Sequence, residues 1–242
     1  MLFKKYKNLK IATTIVLLLF SLFINCNDEK LENEAINYLN KNYERSVYKH
    51  KFKNEIQVSV DFSRKKKIVE RDLAYLKNIG NITVLHMCEC SITDKGIEYI
   101  NPLKDLRVLS LENTNLTDNG LQMICMNHPN LERLILNNTP ITSEGLKHIG
   151  KLKKLNFLEL RGSKIDDEAT VYLSELENIV NLTIANTKVT DKSVPYLMKF
   201  PKIGTLIIVR TQITKEGSQV LKDHYEKSKS GTVVYWDPKT AP

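Results

Sequence analysis

Residues 106–130 read LRVLSLENTNLTDNGLQMICMNHPN, and residues 131–154 read LERLILNNTPITSEGLKHIGKLKK. The second stretch repeats the first. Both have apolar residues at relative positions 1, 4 and 6: Leu106, Leu109 and Leu111, then Leu131, Leu134 and Leu136. Both have Thr at position 9 (Thr114, Thr139) and an aliphatic residue two places later (Leu116, Ile141). Six such segments start at Ile82, Leu106, Leu131, Leu155, Ile179 and Ile203, spaced 24, 25, 24, 24 and 24 apart. A fixed period in this range marks a repeat architecture, which has to be recognised before any other feature is read.

Within one unit, positions 4 and 6 alternate with polar residues, which is strand spacing with the apolar side chains inward. Position 9 is small and carries a hydroxyl or thiol throughout: Cys90, Thr114, Thr139, Ser163, Thr187, Thr211. It is expected to turn inward and satisfy backbone groups of neighbouring loops. A helix start follows, as in Thr93-Asp94, Thr117-Asp118, Asp166-Asp167 and Thr190-Asp191. The Thr or Asp caps the helix, and the next acid suits its positive end. Three residues beyond each cap stands a small residue: Gly96, Gly120, Gly145, Ala169, Ser193 and Gly217. Small side chains there let each helix approach the strand layer. Pairs such as Leu121/Ile124 and Leu146/Ile149 give the helix one apolar stripe. One unit cannot bury its own apolar face, so the units must stack.

This pattern resembles the leucine-rich repeat. The subtype reads [IL]-T-D-x-G-L and is similar to the cysteine-containing repeats of F-box proteins and to the ribonuclease-inhibitor-like group. The resemblance implies an α/β leucine-rich-repeat solenoid, with parallel strands on the concave face and helices on the convex face. Six repeats occupy 82–227, after a degenerate first unit at 56–81. There Ile56, Val58, Val60 and Phe62 alternate as a strand, and Ile68, Leu73 and Leu76 give helical spacing. Residues 228–242 form a C-terminal cap, with Thr232–Trp236 as a closing strand over the core.

Outward from the repeats, residues 26–55 are polar and rich in Asn, Lys and Glu. They are expected to be a tether leading into the N-terminal cap. Residues 1–25 carry Lys4, Lys5, Lys7 and Lys10, then an apolar run from Ile11 to Ile24. That run is too short for comfortable membrane crossing, which needs about 20 residues, and it fits a secretory signal peptide. It ends at Phe23-Ile24-Asn25-Cys26, which resembles a bacterial lipobox of the looser spirochaete type that tolerates Asn before the Cys. The resemblance implies lipidation of Cys26 and a lipid-anchored bacterial envelope location, with the outer membrane or cell surface as one option. An uncleaved anchor and a cleaved soluble product are the other readings of this segment.

The 242-residue chain has a formal charge of +8, which falls to +4 without residues 1–25. Half the hint of a nucleic-acid partner is therefore targeting signal, and no nucleic-acid partner is expected. At 42% hydrophobic and 26% charged, the chain is neither disordered nor a polytopic membrane protein.

His86-x-Cys88-x-Cys90, with Glu112 expected beside Cys88, is the most tempting metal cluster. Cys90 occupies the Thr slot of the other repeats, so the structural reading is preferred, and no metal or cofactor is expected. The recurring acids Asp94, Asp118, Asp167 and Asp191 suggest calcium less well than they suggest helix starts. No nucleophile stands beside a base, and Cys125 is expected to pack on its helix; the chain is not expected to be an enzyme.

The outward strand positions form three columns: Val84, Val108, Arg133, Phe157, Asn181 and Thr205; His86, Ser110, Ile135, Glu159, Thr183 and Ile207; Cys88, Glu112, Asn137, Arg161, Ala185 and Val209. A solvated sheet favours Thr, Lys and Glu. Instead Ile135 and Phe157 sit at the centre among Arg133, Glu159 and Arg161, the composition of a protein-binding hot spot. With Val108 and His86, these residues are the candidate partner-contact set. The expected function is a membrane-tethered module, monomeric, that binds an unidentified protein partner through its concave face, in the manner of an adhesin. Two other classes remain open: a periplasm-facing structural lipoprotein, and an intracellular adaptor of the F-box-associated type. The export signal and the lack of an F-box-like segment in 27–55 speak against the adaptor.

Overall fold

The computed structural model describes residues 28–52, 55–64, 68–228 and 231–237. Cys26 and residues 1–25, read above as an export signal, lie outside these residues. One sheet of nine strands runs in chain order. These are β1 (Val47–Phe52), β2 (Glu55–Asp61), β3 (Ile82–His86), β4 (Val108–Ser110), β5 (Arg133–Ile135), β6 (Phe157–Glu159), β7 (Asn181–Thr183), β8 (Thr205–Ile207) and β9 (Val233–Tyr235). Only the β1–β2 pair is antiparallel; from β2 to β9 every pair is parallel. On the other side of the core lie the helices α2 (Asp94–Ile100), α3 (Asp118–Asn127), α4 (Asp167–Leu173), α5 (Val194–Leu197) and α6 (Lys215–Lys227). This is the α/β solenoid that the resemblance to the leucine-rich repeat implies.

Register makes the core. Leu85, Leu109, Leu134, Leu158, Leu182 and Leu206 pair strand to strand, and none is more than 1% exposed. Full burial of a Leu side chain contributes about 1.5–3 kcal/mol, and here each Leu is sealed mainly by its copies in adjacent units. Three convex segments are 3-10 helices instead of α: Glu70–Asn78, Glu144–Lys151 and Asp191–Ser193. A 3-10 helix rises more per residue, and the two glycines of the second, Gly145 and Gly150, weaken its α preference.

The position-9 side chains act locally rather than between repeats. Thr114, Thr139, Ser163, Thr187 and Thr211 each donate to the carbonyl three residues back, at 2.6–2.7 Å. Only Cys90 reaches the preceding unit, donating to the Phe62 carbonyl at 3.0 Å.

The bond between repeats is made by the acid at the helix start. Asp94 accepts from the Thr117 backbone N–H at 2.9 Å and from its hydroxyl. Asp118 does the same to Thr142, Asp167 to Thr190 and Asp191 to Thr214. Glu70 begins the series on Thr93. Burial raises the Asp167 carboxyl, but hydrogen bonds from Ser193 and Thr190 outweigh it and hold the group below its ordinary value.

The same carboxylates explain the small residues. A Cβ on Gly120 would meet the Asp94 carboxylate well inside van der Waals contact; one on Gly145 would meet Asp118, and one on Gly217 would meet Asp191. These glycines make room for the previous unit's acid. The exceptions obey the same rule. Ser143 replaces the acid, and the next unit's slot holds Ala169. There Asp166 takes the cap position, with its N–H donating to Ser143 Oγ and its carboxylate accepting from that hydroxyl. At Ser193 the small side chain itself donates to Asp167. Lys215 stands in the last of the described repeats, where β9 follows the helix.

Both ends are closed. Residues 28–52, whose polarity suggested a tether, are a folded cap: helix α1 (28–42) precedes β1. Ala35, Leu39 and Tyr43 of this cap are buried. Tyr38 stacks on Tyr75 at 4.2 Å, and the Tyr43 hydroxyl donates to Asp72 at 2.5 Å. Burial and Asp72 push that phenol up to about 12. Val58, Val60 and Phe62 face the core, but Ile56 is 58% exposed. At the far end Trp236 donates to the Ile213 carbonyl at 3.0 Å. Among the described residues no helix is long and apolar enough to cross a membrane.

His128 is fully buried. Its Nδ1 lies 3.2 Å from the Leu103 carbonyl, so Nδ1 carries the proton. Its Nε2 has no partner among the described residues. Burial pulls its pKa from 6.5 down to about 4.

Two outcomes follow. Gly145→Ala should destabilise the chain by about 1–3 kcal/mol, although Ala is the better helix former. The triple variant D118S/T142D/G145A, which copies the Ser143–Asp166–Ala169 set, should lose less; denaturant midpoints decide this, and a larger loss in the triple contradicts the packing rule. Because the folded pKa of His128 is depressed, its contribution is fully present above the unfolded pKa. It declines as pH falls from about 6.5 towards 4, by at most about 3 kcal/mol. His128→Asn should flatten that part of the stability–pH curve; an unchanged slope would show that other groups cause it.

Candidate functional site

The concave columns are built as the repeat spacing implies. β-pairing sets Val84, Val108, Arg133, Phe157, Asn181 and Thr205 side by side. It likewise sets His86, Ser110, Ile135, Glu159, Thr183 and Ile207 in one row. The third column continues past the strand ends, where Asn113, Asn138, Gly162 and Asn186 donate backbone N–H groups to the next unit's column-three carbonyls.

At the centre, the Arg133 guanidinium lies 4.0 Å from the Phe157 ring centroid. A cation over an aromatic face is worth about 0.5–1 kcal/mol when exposed. It holds the flexible Arg in one place. Ile135 and Phe157 are half-buried, although they point away from the core. The structure therefore brings Arg133, Ile135, Phe157, Glu159 and Arg161 onto two adjacent strands, with Val108 directly beside Arg133. His86 stands apart: Ser110 separates it from Ile135, and its other neighbour is Asp61.

Asn137 organises the third column. Its Nδ2 donates to Glu159 at 2.5 Å, and its Oδ1 accepts from the Arg161 backbone N–H at 2.9 Å. Glu159 is thus drawn toward the preceding repeat. Beside this pair lies a hollow of about 420 Å³, lined by Asn137, Glu159, Arg161, Thr183, Asn186 and Arg210 among others. Asp237, from the C-terminal cap, closes one wall. Ala185 is the smallest side chain in its column and is 2% exposed, so it forms the floor.

Sequence reasoning placed Glu159 and Arg161 but missed Asn186, Arg210 and Asp237. A signal for two of them exists. Glu89, Asn113, Asn138, Gly162, Asn186 and Arg210 recur one per unit, and all have φ between 55° and 71°. Asn and Gly tolerate that region best. An Asn-rich column is therefore the mark of a turn whose side chains fringe the concave face.

The metal candidates are occupied otherwise. Cys88 Sγ lies 2.9 Å from the Ser110 hydroxyl, and Cys90 is buried in its carbonyl bond. The recurring acids are bonded to Thr as described above. Among the described residues no group of three or more His, Cys, Asp or Glu side chains could hold a metal ion. Burial pushes the Cys125 thiol up to about 12, so it is protonated at neutral pH.

The family model for the leucine-rich repeat matches residues 103–125 and 127–150. No curated protein matches the sequence. Among solved structures, internalin C2 from Listeria monocytogenes is similar, with a TM-score of 0.52 and 17% identity, over 75% of this chain and 80% of that one. At that identity the likeness is one of fold. The chain carries leucine-rich repeats, and the four repeats outside the matched residues share their strand register.

Proposed function

We propose that this chain is a protein-binding module that recognises its partner through the concave face, and that a lipid on Cys26 displays it from a bacterial envelope membrane. The observation that carries the reading is the half-buried Phe157–Ile135 pair at the centre of the face, flanked by Arg133, Glu159 and Arg161. Aromatic and Arg anchors surrounded by near-neutral contacts are the usual energetic centre of protein interfaces. The rows at β3–β4 and β7–β8 supply the polar surround. Binding rather than catalysis is the work of such a face.

The N-terminal cap refines the anchoring. The described fold begins with helix α1, which precedes β1 at one end of the sheet. A lipid on Cys26 would tether the module from that N-terminal cap. Two or more acyl chains give stable anchoring where one does not. A role as an adhesin at the outer surface and a role facing the periplasm share this geometry and differ in the leaflet.

Two measurements test the reading. The N-terminal peptide from protein made in its native cells should have a mass starting at Cys26 plus acyl chains; a mass starting at Met1 removes the lipid anchor. Capture of envelope or host extracellular proteins should fall at least about tenfold in the R133A/F157A variant, while Tm moves by less than about 2 °C, within the range expected for surface substitutions. Unchanged capture places the binding surface elsewhere.

A further inference from the structure

We propose that the hollow floored by Ala185 is a subsite for a carboxylate, an Asp or Glu side chain on an extended segment of the protein partner. This deepens the concave-face reading and rests on it. The hollow exists because column three loses volume at one unit. Arg161 stands on one side of Ala185 and Val209 on the other. Its size, about 420 Å³, lies within the range that accepts a small group and its neighbours.

The polar groups around it are unbalanced in one direction. Among the described residues the Arg161 guanidinium, the Thr183 hydroxyl and the Asn186 side-chain amide have no hydrogen-bond or ion-pair partner. Glu159, on the same wall, is engaged by the Asn137 amide. The lining holds two cations, Arg161 and Arg210, and two acids, Glu159 and Asp237. Of these the Arg161 guanidinium is a pure donor with no protein carboxylate on it among the described residues, and an acceptor-rich anion would complete it.

Geometry and floor favour a carboxylate on a peptide. A guanidinium forks onto a carboxylate through two parallel hydrogen bonds. The apolar part of the hollow, Ala185, Ile207 and Val209, suits the aliphatic stem of Glu or a neighbouring apolar residue. Closing such a segment over the floor excludes water from part of the Arg161–carboxylate pair. An exposed pair contributes little, so the gain depends on that closure and on the hollow remaining empty of protein side chains.

The test uses the full-length chain in detergent micelles, isotopically labelled for NMR, with three probes: Ac-Val-Glu-Leu-NH₂, its Gln counterpart and its phosphoserine counterpart. The Glu peptide should shift the Asn186 side-chain amide and the Arg161 Nε signals saturably, in the millimolar range expected of a tripeptide. The Gln peptide should bind at least about tenfold more weakly, one charge-assisted bond's worth. Ala185→Leu, which fills the hollow without changing charge, and Arg161→Gln should each abolish the shifts while amide signals from the first three repeats stay in place. The proposal is overturned by equal binding of the Glu and Gln peptides, by no shift at about 10 mM Glu peptide, or by full binding in the Ala185→Leu variant. Phosphoserine binding more than about tenfold tighter than Glu also overturns it, in favour of a phosphate site. Partner capture separates the two readings: loss in R133A/F157A with full retention in Ala185→Leu removes this subsite and leaves the concave-face reading standing.

Discussion

A 24-residue unit has an apolar ladder residue on its strand and nothing of its own to lay against it. Each buried ladder Leu is sealed by the ladder residue above and below, Leu within the array and Val60 and Val234 at its ends, so the fold exists only as a stack. That constraint sets two requirements on each unit: it must present the same surface to both neighbours, and it must arrive at the same height. Hydrophobic burial supplies the attraction but is non-directional. The height is fixed by a directional contact, the carboxylate of one helix start received by the backbone N–H and hydroxyl of the next unit's cap. This is why an acid recurs at 94, 118, 167 and 191, and why the slot facing each carboxylate carries so little side chain.

The ladder was legible in the sequence because a core position admits few residue types. Leu109, Leu134 and Leu158 announce themselves by identity and spacing alone. The Asp–Thr contact was half legible. Its residues were visible, and the helix macrodipole explained each acid singly, but a local explanation hides a partner some 24 residues away. The departure of Ser143 and Ala169 from the pattern was the clue, since two coupled exceptions one unit apart imply that the positions touch. The N-terminal cap was the least legible. Its helix and the turn after it bury Ala35, Leu39 and Tyr43 amid Lys, Asn and Glu, so its composition resembles a spacer; a cap needs one apolar stripe because only one side of it meets the stack.

The concave face was readable as columns, since strand alternation and a fixed period place every outward residue. What that arithmetic could not supply is depth. Ala185 in a list of column residues is simply a small side chain; in the sheet, between Arg161 and Val209, it is the floor of a hollow. Asn186 and Arg210 were overlooked because they sit on the turn after the strand, at the left-handed positions, rather than on the strand itself. Asp237 comes from the cap and belongs to no repeat. A site formed by several repeats and a terminal segment has no local sequence signature.

The two faces of the sheet therefore carry different burdens. Inward residues are locked by register: one altered Leu is felt by the units on both sides, and close packing leaves little room for change. Outward residues bond mainly along their own face, as Arg133 does to Phe157 and Asn137 to Glu159, and these bonds cross only one strand gap. Substitutions there cost the stack little. The concave surface is thus free to carry an arrangement chosen for recognition, such as an aromatic beneath an Arg or a gap at an alanine, while the ladder and the Asp–Thr contacts behind it hold each strand at a set height. The rigidity that a recognition surface needs comes from residues that never touch the partner.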